Sequence, residues 1–179
     1  HKRGSGASIE VETLLFDAVS QVEYYRLRSG SFVVGAKDFR DSGITWSARI
    51  APPARAPDAE VELHVSPDRA KIYRLSGDYN PLHIDLAFAP TAGFQAPILH
   101  GLCSLGMSCR AVLGRYGGGG AARFRAIGVR FASPVLPGQT LVVQMWKAGD
   151  RVVFLTKVKE TGKTVINNAF VDFHPEAKL

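Results

Sequence analysis

Cysteine is scarce in this sequence, and long apolar runs are missing from it. Cys103 and Cys109 are the only two cysteines in 179 residues. They are too few for a disulfide scaffold and are not spaced as a Cys-x-x-Cys metal pair, so both are expected to be reduced thiols in an apolar stretch. No run of about 18 apolar residues offers a membrane-spanning helix. Nor does an apolar segment follow His1, Lys2 and Arg3 as a secretion signal would, so a soluble intracellular protein is expected. The four glycines at 117–120 are followed by neither lysine nor a helix-opening Ser or Thr, and they read as a connector rather than a phosphate-cradling loop. Acidic side chains are outnumbered, 16 against 22 basic ones, for a formal charge of +6. That excess suits an anionic partner such as a nucleotide phosphate, a nucleic acid or a lipid headgroup, and it equally suits an ordinary soluble surface.

What is present points to one domain or slightly more. A hydrophobic content of 46% in 179 residues is enough for a real core. Residues 7–16, 21–28 and 31–36 read as three short β segments, with alternation in Ile9-Glu10-Val11-Glu12 and a plausible turn at Ser29-Gly30. Residues 41–65 lose periodicity and carry Pro52, Pro53 and Pro57, the composition of an extended linker. Ser66-Pro67 then predicts a helix start with Ser66 as N-cap, and Asn80-Pro81 predicts a second one. Asp78 stays in the loop before that second start, and His83 falls in its first turn.

From Pro97 to about Arg115, Ile98, Leu102, Leu105, Cys109 and Val112 recur at spacings of four, three, four and three. This predicts the longest helix, buried along that stripe, with small residues between that let a sheet approach closely. Strands are predicted at 124–131, 139–146, 152–159 and 165–173, with turn signals at Gly149-Asp150 and Thr161-Gly162, as an antiparallel meander.

The chemistry concentrates in Ser76-Gly77-Asp78-Tyr79-Asn80-Pro81-Leu82-His83. Adding water across a double bond conjugated to a thioester needs a base, an acid and donors for the oxygen that gains enolate charge. Asp78 and His83 supply a carboxylate and a largely neutral imidazole, both able to orient or deprotonate one water. Asn80 offers an amide to water or substrate, or serves only as a helix cap. The expected oxyanion donor is the backbone N–H of Gly101, in the first turn of the long helix, where N–H groups lack internal partners. His100, just before it, caps or packs. Asp78, His83, Asp85 and His100 can also be drawn as a metal cluster, but their spacings match no zinc or iron pattern, and no metal is expected.

The run Tyr73-Arg74-Leu75-Ser76-Gly77-Asp78-Tyr79-Asn80-Pro81-Leu82-His83-Ile84-Asp85 resembles the signature of the type 2 enoyl-CoA hydratases, the MaoC-like branch of hotdog-fold proteins. Pro97-Ile98-Leu99-His100-Gly101-Leu102 resembles that family's entry to its central helix. Ala132-Ser133-Pro134-Val135-Leu136-Pro137-Gly138-Gln139-Thr140 resembles its strand connection. With Glu160-Thr161-Gly162, the likeness is greatest to the hydratase part of the peroxisomal multifunctional enzymes.

The resemblance implies an α+β hotdog fold, an antiparallel sheet wrapped around a long central helix. It also implies a domain plan: the last strands of an incomplete first hotdog half at 1–40, the linker at 41–65, the hydratase domain at 66–174 and a targeting tail at 175–179. The reaction it implies is reversible hydration of trans-2-enoyl-CoA to (3R)-3-hydroxyacyl-CoA in peroxisomal β-oxidation. No cofactor is implied beyond the coenzyme A of the substrate. The family's catalytic residues fall on Asp78, His83, Asn80 and Gly101. Its substrate contacts fall on Asp78, Tyr79, Asn80, Pro81, Leu82, His83, Gly101 and Phe131, with Arg3 meeting the coenzyme A phosphates. Because a hotdog half expects a partner, a homodimer or a longer multifunctional protein is expected, with no nucleic acid and no membrane span. Ala177-Lys178-Leu179 has the form of the peroxisomal address read by an import receptor. Two alternatives remain, a hotdog acyl-CoA thioesterase and an acyl-CoA-binding module of weak activity.

Overall fold

The structure is a computed structural model that describes residues 6–38, 40, 42–44, 46, 49–118 and 120–175. Arg3, Ala177, Lys178 and Leu179 lie outside the described residues. The chain divides into two compact units, His1–Ala48 and Arg49–Leu179.

The first unit is an antiparallel hairpin of β1 (Gly6–Phe16) and β2 (Glu23–Val34), paired from Gly6 with Val34 to Phe16 with Glu23. Two strands stand where three were expected, and β2 runs straight through Ser29-Gly30, opposite Val11 and Glu10. The reversal lies instead at residues 17–22, because Asp17 Oδ1 accepts bonds from the N–H groups of Val19 (3.0 Å) and Ser20 (2.6 Å) and from the Ser20 hydroxyl (2.9 Å). An aspartate that satisfies three donors locally makes a stronger turn than a Ser-Gly pair with no such partners.

In the second unit, β3 (Ala59–His64), β4 (Phe124–Phe131), β5 (Thr140–Ala148), β6 (Arg151–Val158) and β7 (Thr164–Phe173) form one sheet in the order β3-β5-β6-β7-β4. Every neighbouring pair is antiparallel. Two expectations are corrected here. The segment read as linker to residue 65 contains β3, whose alternating Ala59, Val61 and Leu63 turn toward the core. And β4 pairs with β7 rather than β5. The hairpins β5–β6 and β6–β7 close over Gly149 (φ 62°) and Gly162 (φ 69°), whereas residues 132–139 between β4 and β5 hold Pro134 and Pro137, which cannot donate to a ladder. That connection crosses the fold. The Ala132 N–H bonds Val165 O (2.9 Å), the Val135 carbonyl accepts from Leu99 (2.7 Å) and the Gly138 N–H reaches Val65 O (2.7 Å).

Against the sheet lies α2 (Gly101–Tyr116), preceded by α1 (Arg69–Arg74) and by 3-10 turns at Pro81–His83 and Ala89–Ala92. This is the sheet around a central helix that a hotdog fold requires. The helix begins at Gly101, four residues later than its apolar pattern suggested, and its buried face is not the expected stripe. Cys103, Ser104, Met107, Ser108, Ala111 and Val112 are buried, while Leu102 is 60% exposed. The core side is thus built of small and polar residues as much as apolar ones. Ser108 donates to the Ser104 carbonyl (2.9 Å) and contacts Thr156 Oγ1 at 2.9 Å. With its one proton used, the Ser108 hydroxyl accepts from Thr156, which pins α2 to β6 through a fully satisfied buried pair. The core of this unit includes Leu141, Val143, Met145, Phe154, Ile166 and Val171, all at 0% exposure.

Before α1, Asp68 rather than Ser66 is the N-cap. Ser66 instead accepts from the Asp68 N–H at 3.3 Å, so the proline-led turn precedes the helix and the cap falls two residues later than expected.

Candidate active site

Four short pieces of the second unit meet at one end of α2. The α1 helix ends at Arg74, and Gly77 takes a left-handed φ of 113° that reverses the chain into Asp78. Asp78 Oδ1 accepts from the Asn80 N–H (3.3 Å), and Asn80 Oδ1 in turn accepts from the Leu82 N–H (3.0 Å) as cap of the 3-10 turn, with Pro81 at its first position. These two small closures fix the offset between Asp78 and His83.

His83 is buried, and its Nδ1 lies 2.8 Å from the Ile98 carbonyl. A carbonyl only accepts, so Nδ1 carries the proton and the neutral ring presents a bare Nε2. That Nε2 stands 4.0 Å from Asp78 Oδ2. The gap is too long for a direct hydrogen bond and matches two acceptors bridged by one water at about 2.8 Å from each. The Asp78 side chain is 49% exposed, so the gap is open to solvent and to a ligand.

His100 closes the other side. Its Nε2 is 4.0 Å from the same Asp78 oxygen and 3.3 Å from the Asp78 backbone carbonyl, and its ring stacks on that of His83 with centroids 3.6 Å apart at 25°. Tyr73 packs at 4.7 Å from it. Burial pushes the His100 imidazole below its ordinary titration range, and the neighbouring His83 adds to this, against the opposing pull of Asp78.

Asp78, His83 and His100 bring their ligand atoms within 4.8 Å of one another. The stacked rings argue against a shared metal. Two imidazoles bind one ion only where their planes meet at it, and stacked rings with centroids 3.6 Å apart and planes inclined by 25° have planes that meet well beyond a metal–nitrogen bond.

His100 is also the N-cap of α2, its carbonyl accepting from Cys103 (3.1 Å) and Ser104 (3.2 Å). Gly101 is therefore the first helical residue, with an N–H that no intrahelical carbonyl can reach. It borders a cleft of about 270 Å³ lined by Phe94, Ile98, Ser104, Phe131 and Val165. A side chain at Gly101 would bring a Cβ to 3.3 Å from the Phe131 ring, so only glycine leaves this passage its full width. A second cleft, of about 310 Å³, opens beside His83 between Lys71, Pro97 and Leu136.

The structure thus brings Asp78, His83 and His100 together, with Asn80 capping the turn between the first two; Gly101 follows His100 at the start of α2, and Phe131 faces it across the first cleft. Tyr79 is exposed at 60%, with the Arg74 guanidinium 4.9 Å over its ring. Pro81 and Leu82 serve the turn. Asp85 does not join the group; its Oδ1 caps the next turn from Ala87 (2.7 Å) and Phe88 (3.3 Å). The residue that sequence reasoning undervalued is His100. Its place directly before the helix-opening glycine was the available signal.

The model of the MaoC like domain matches residues 49–169. The chain is 48% identical over 181 residues to the peroxisomal multifunctional enzyme type 2 of Drosophila melanogaster, covering 99% of this chain and 30% of that protein. The solved full-length structure of that enzyme superposes with a TM-score of 0.86 over 96% of this chain and 31% of its own. Identity to the peroxisomal enoyl-CoA hydratase 2 of Arabidopsis thaliana is 40%, over 92% of this chain and 56% of that one. A crystal structure of a MaoC-like dehydratase from Phytophthora capsici superposes with a TM-score of 0.90 at 40% identity, over 99% of this chain and 62% of that one. The chain thus spans less than two thirds of the length of each of these proteins.

Proposed function

The chain belongs to the MaoC-like domain family, and on that premise we propose that it hydrates trans-2-enoyl-CoA reversibly to (3R)-3-hydroxyacyl-CoA. The observation that carries the proposal is the 4.0 Å gap between Nε2 of His83 and the Asp78 carboxylate, with Gly101 opening α2 directly after His100. The (3R) outcome rests on the family resemblance.

In the proposed reaction a water sits in that gap. His83 Nε2 takes one of its protons as the oxygen bonds C3 of the enoyl chain, and the Asp78 carboxylate beside it stabilises the imidazolium that forms. The π pair moves to the thioester oxygen, which the Gly101 N–H and the positive end of α2 hold as an enolate. The enolate then collapses and C2 takes up a proton from the Asp78 and His83 pair, so the site returns to its starting charge. Asn80 holds the turn between the two and keeps its amide for the water or the substrate. Phe131 and Phe94 give the acyl end of the cleft its apolar wall, and Arg3 is proposed to meet the coenzyme A phosphates. No cofactor takes part.

A hotdog thioesterase would use a lone carboxylate on or near the central helix, whereas α2 carries no acidic residue and Asp78 is paired with His83 in the segment before it. Incubation with crotonyl-CoA and with decanoyl-CoA separates the two: loss of enoyl absorbance without free thiol supports the hydratase, and free thiol overturns it. The proposed compartment is the peroxisome, named for the Drosophila and Arabidopsis relatives, with Ala177, Lys178 and Leu179 read by an import receptor. The proposed working form is a homodimer or a longer protein in which a second hotdog half completes the acyl pocket.

A further inference from the structure

His100 is 1% exposed, stacked on one member of the acid–base pair and hydrogen-bonded to the backbone of the other, yet it touches no reacting atom in the hydration proposed above. Its protonation state follows from geometry. Nε2 faces a carbonyl oxygen, which accepts only, so Nε2 must be the protonated nitrogen. The other nitrogen, Nδ1, is buried and has no hydrogen-bond partner among the described residues. A bare lone pair there is tolerable. A second N–H would be a buried donor without an acceptor, on a cation pressed against another imidazole, and would cost the desolvation of both.

We infer that His100 is a positioning residue, locked as the neutral Nε2–H tautomer, which fixes the Asp78 loop through its carbonyl and sets the plane of the His83 ring by stacking. The carbonyl bond is the main device. The loop 76–80 is exposed and turns over Gly77; it is otherwise held by backbone bonds to the end of α1 and by Arg74, which lies 3.5 Å from Tyr79 O and 4.9 Å over the Tyr79 ring. The His100 bond anchors the Asp78 backbone to the first residue of the α2 region, which already carries Gly101. One imidazole therefore keeps base, carboxylate and oxyanion donor in a single frame. The titratable groups facing it are Asp78 from the loop, His83 from the 3-10 turn and Tyr73 from α1.

The inference rests on the hydratase reading for its kinetic test but not for its spectroscopic one. In kinetics on crotonyl-CoA, His100→Gln keeps an amide donor where Nε2 stands and is expected to retain kcat within about fivefold. His100→Phe keeps a flat ring and loses the donor. It is expected to lose about 10²-fold in kcat with KM within about threefold, the signature of a misplaced reacting group rather than lost binding. Melting curves on both variants separate misplacement from misfolding. In the parent, long-range proton–nitrogen spectra of the imidazoles should show His100 as the neutral Nε2–H form from about pH 8 to pH 5, with His83 starting as the Nδ1–H form. Parental kcat in folded His100→Phe, equal losses in both variants, or a His100 found as the Nδ1–H tautomer would overturn the inference. A parent without hydratase activity whose His100 shows the Nε2–H signature would sink the proposed function and leave the lock standing.

Discussion

His83 Nε2 and Asp78 Oδ2 face each other across 4.0 Å, and in the neutral ring the single proton sits on Nδ1 against the Ile98 carbonyl at 2.8 Å, which leaves both facing atoms acceptors. Two acceptors at that spacing repel unless a donor stands between them, so the site is built to hold a water or its proton. The stacked His100 keeps this opposition in register from behind.

Gly101→Ala separates passage from stability. The added Cβ meets the Phe131 ring at 3.3 Å, and Phe131 is 48% exposed and free to tilt. The expected result is a melting temperature within a few degrees of the parent, since alanine favours a helix, together with a fall of roughly tenfold or more in kcat/KM for enoyl-CoA. The measurement is a thermal melt beside initial rates.

His100 makes stability fall in mild acid. Its folded titration lies below the ordinary 6.5, so the unfolded chain takes up the proton first. Its contribution is complete above pH 6.5 and is lost progressively as pH drops below that value. Denaturation midpoints of the parent and of His100→Gln, followed from about pH 8 to pH 5, should converge as pH falls.

A second acid-labile tie lies at the start of the β3 edge. Arg55 and the Lys147 N–H (2.7 Å) hold the Asp58 carboxylate, the arginine first, and lower its pKa from 3.8 to about 2. A depressed carboxylate stabilises above its unfolded value, so this tie is intact above pH 3.8 and lost on approach to pH 2. The stability difference between the parent and Asp58→Asn should shrink across that interval and be flat above it. The pair is solvent-exposed, so salt should also weaken it.

Phe154→Ala tests the core. Phe154 is fully buried on β6 among the residues that pack around α2. Its truncation should cost about 3–5 kcal/mol by chemical denaturation, with the loss set by how far the sheet can close on the cavity.

Much of this was legible in the sequence, and the failures share a cause. Strands β5, β6 and β7 were marked by Gly149-Asp150 and Thr161-Gly162, because a tight hairpin needs residues that tolerate positive φ. The pairing of β4 with β7 was not legible, since partners brought together by a crossing connection leave no local trace. Strand β3 hid behind Pro52, Pro53 and Pro57, being only six residues long. The stripe of α2 was read from apolar residues, but a helix held closely by a sheet buries Ser104 and Ser108 and leaves Leu102 outside. At the site, Asp78, Asn80 and His83 could be placed because cap and proline chemistry fixes a short turn. His100 could be seen in the sequence, but its stacking on His83, 17 positions away in the chain, depends on how the loop folds back over the helix start.

The most direct test compares Asp78→Asn with the parent on a trans-2-enoyl-CoA, measuring binding and turnover separately. Acid–base groups contribute 10²–10⁴-fold, so the variant is expected to bind the thioester as the parent does and to turn it over at least ~10²-fold more slowly. Equal turnover by the two proteins would contradict the role of Asp78. Binding by both with turnover by neither would make the chain an acyl-CoA-binding module.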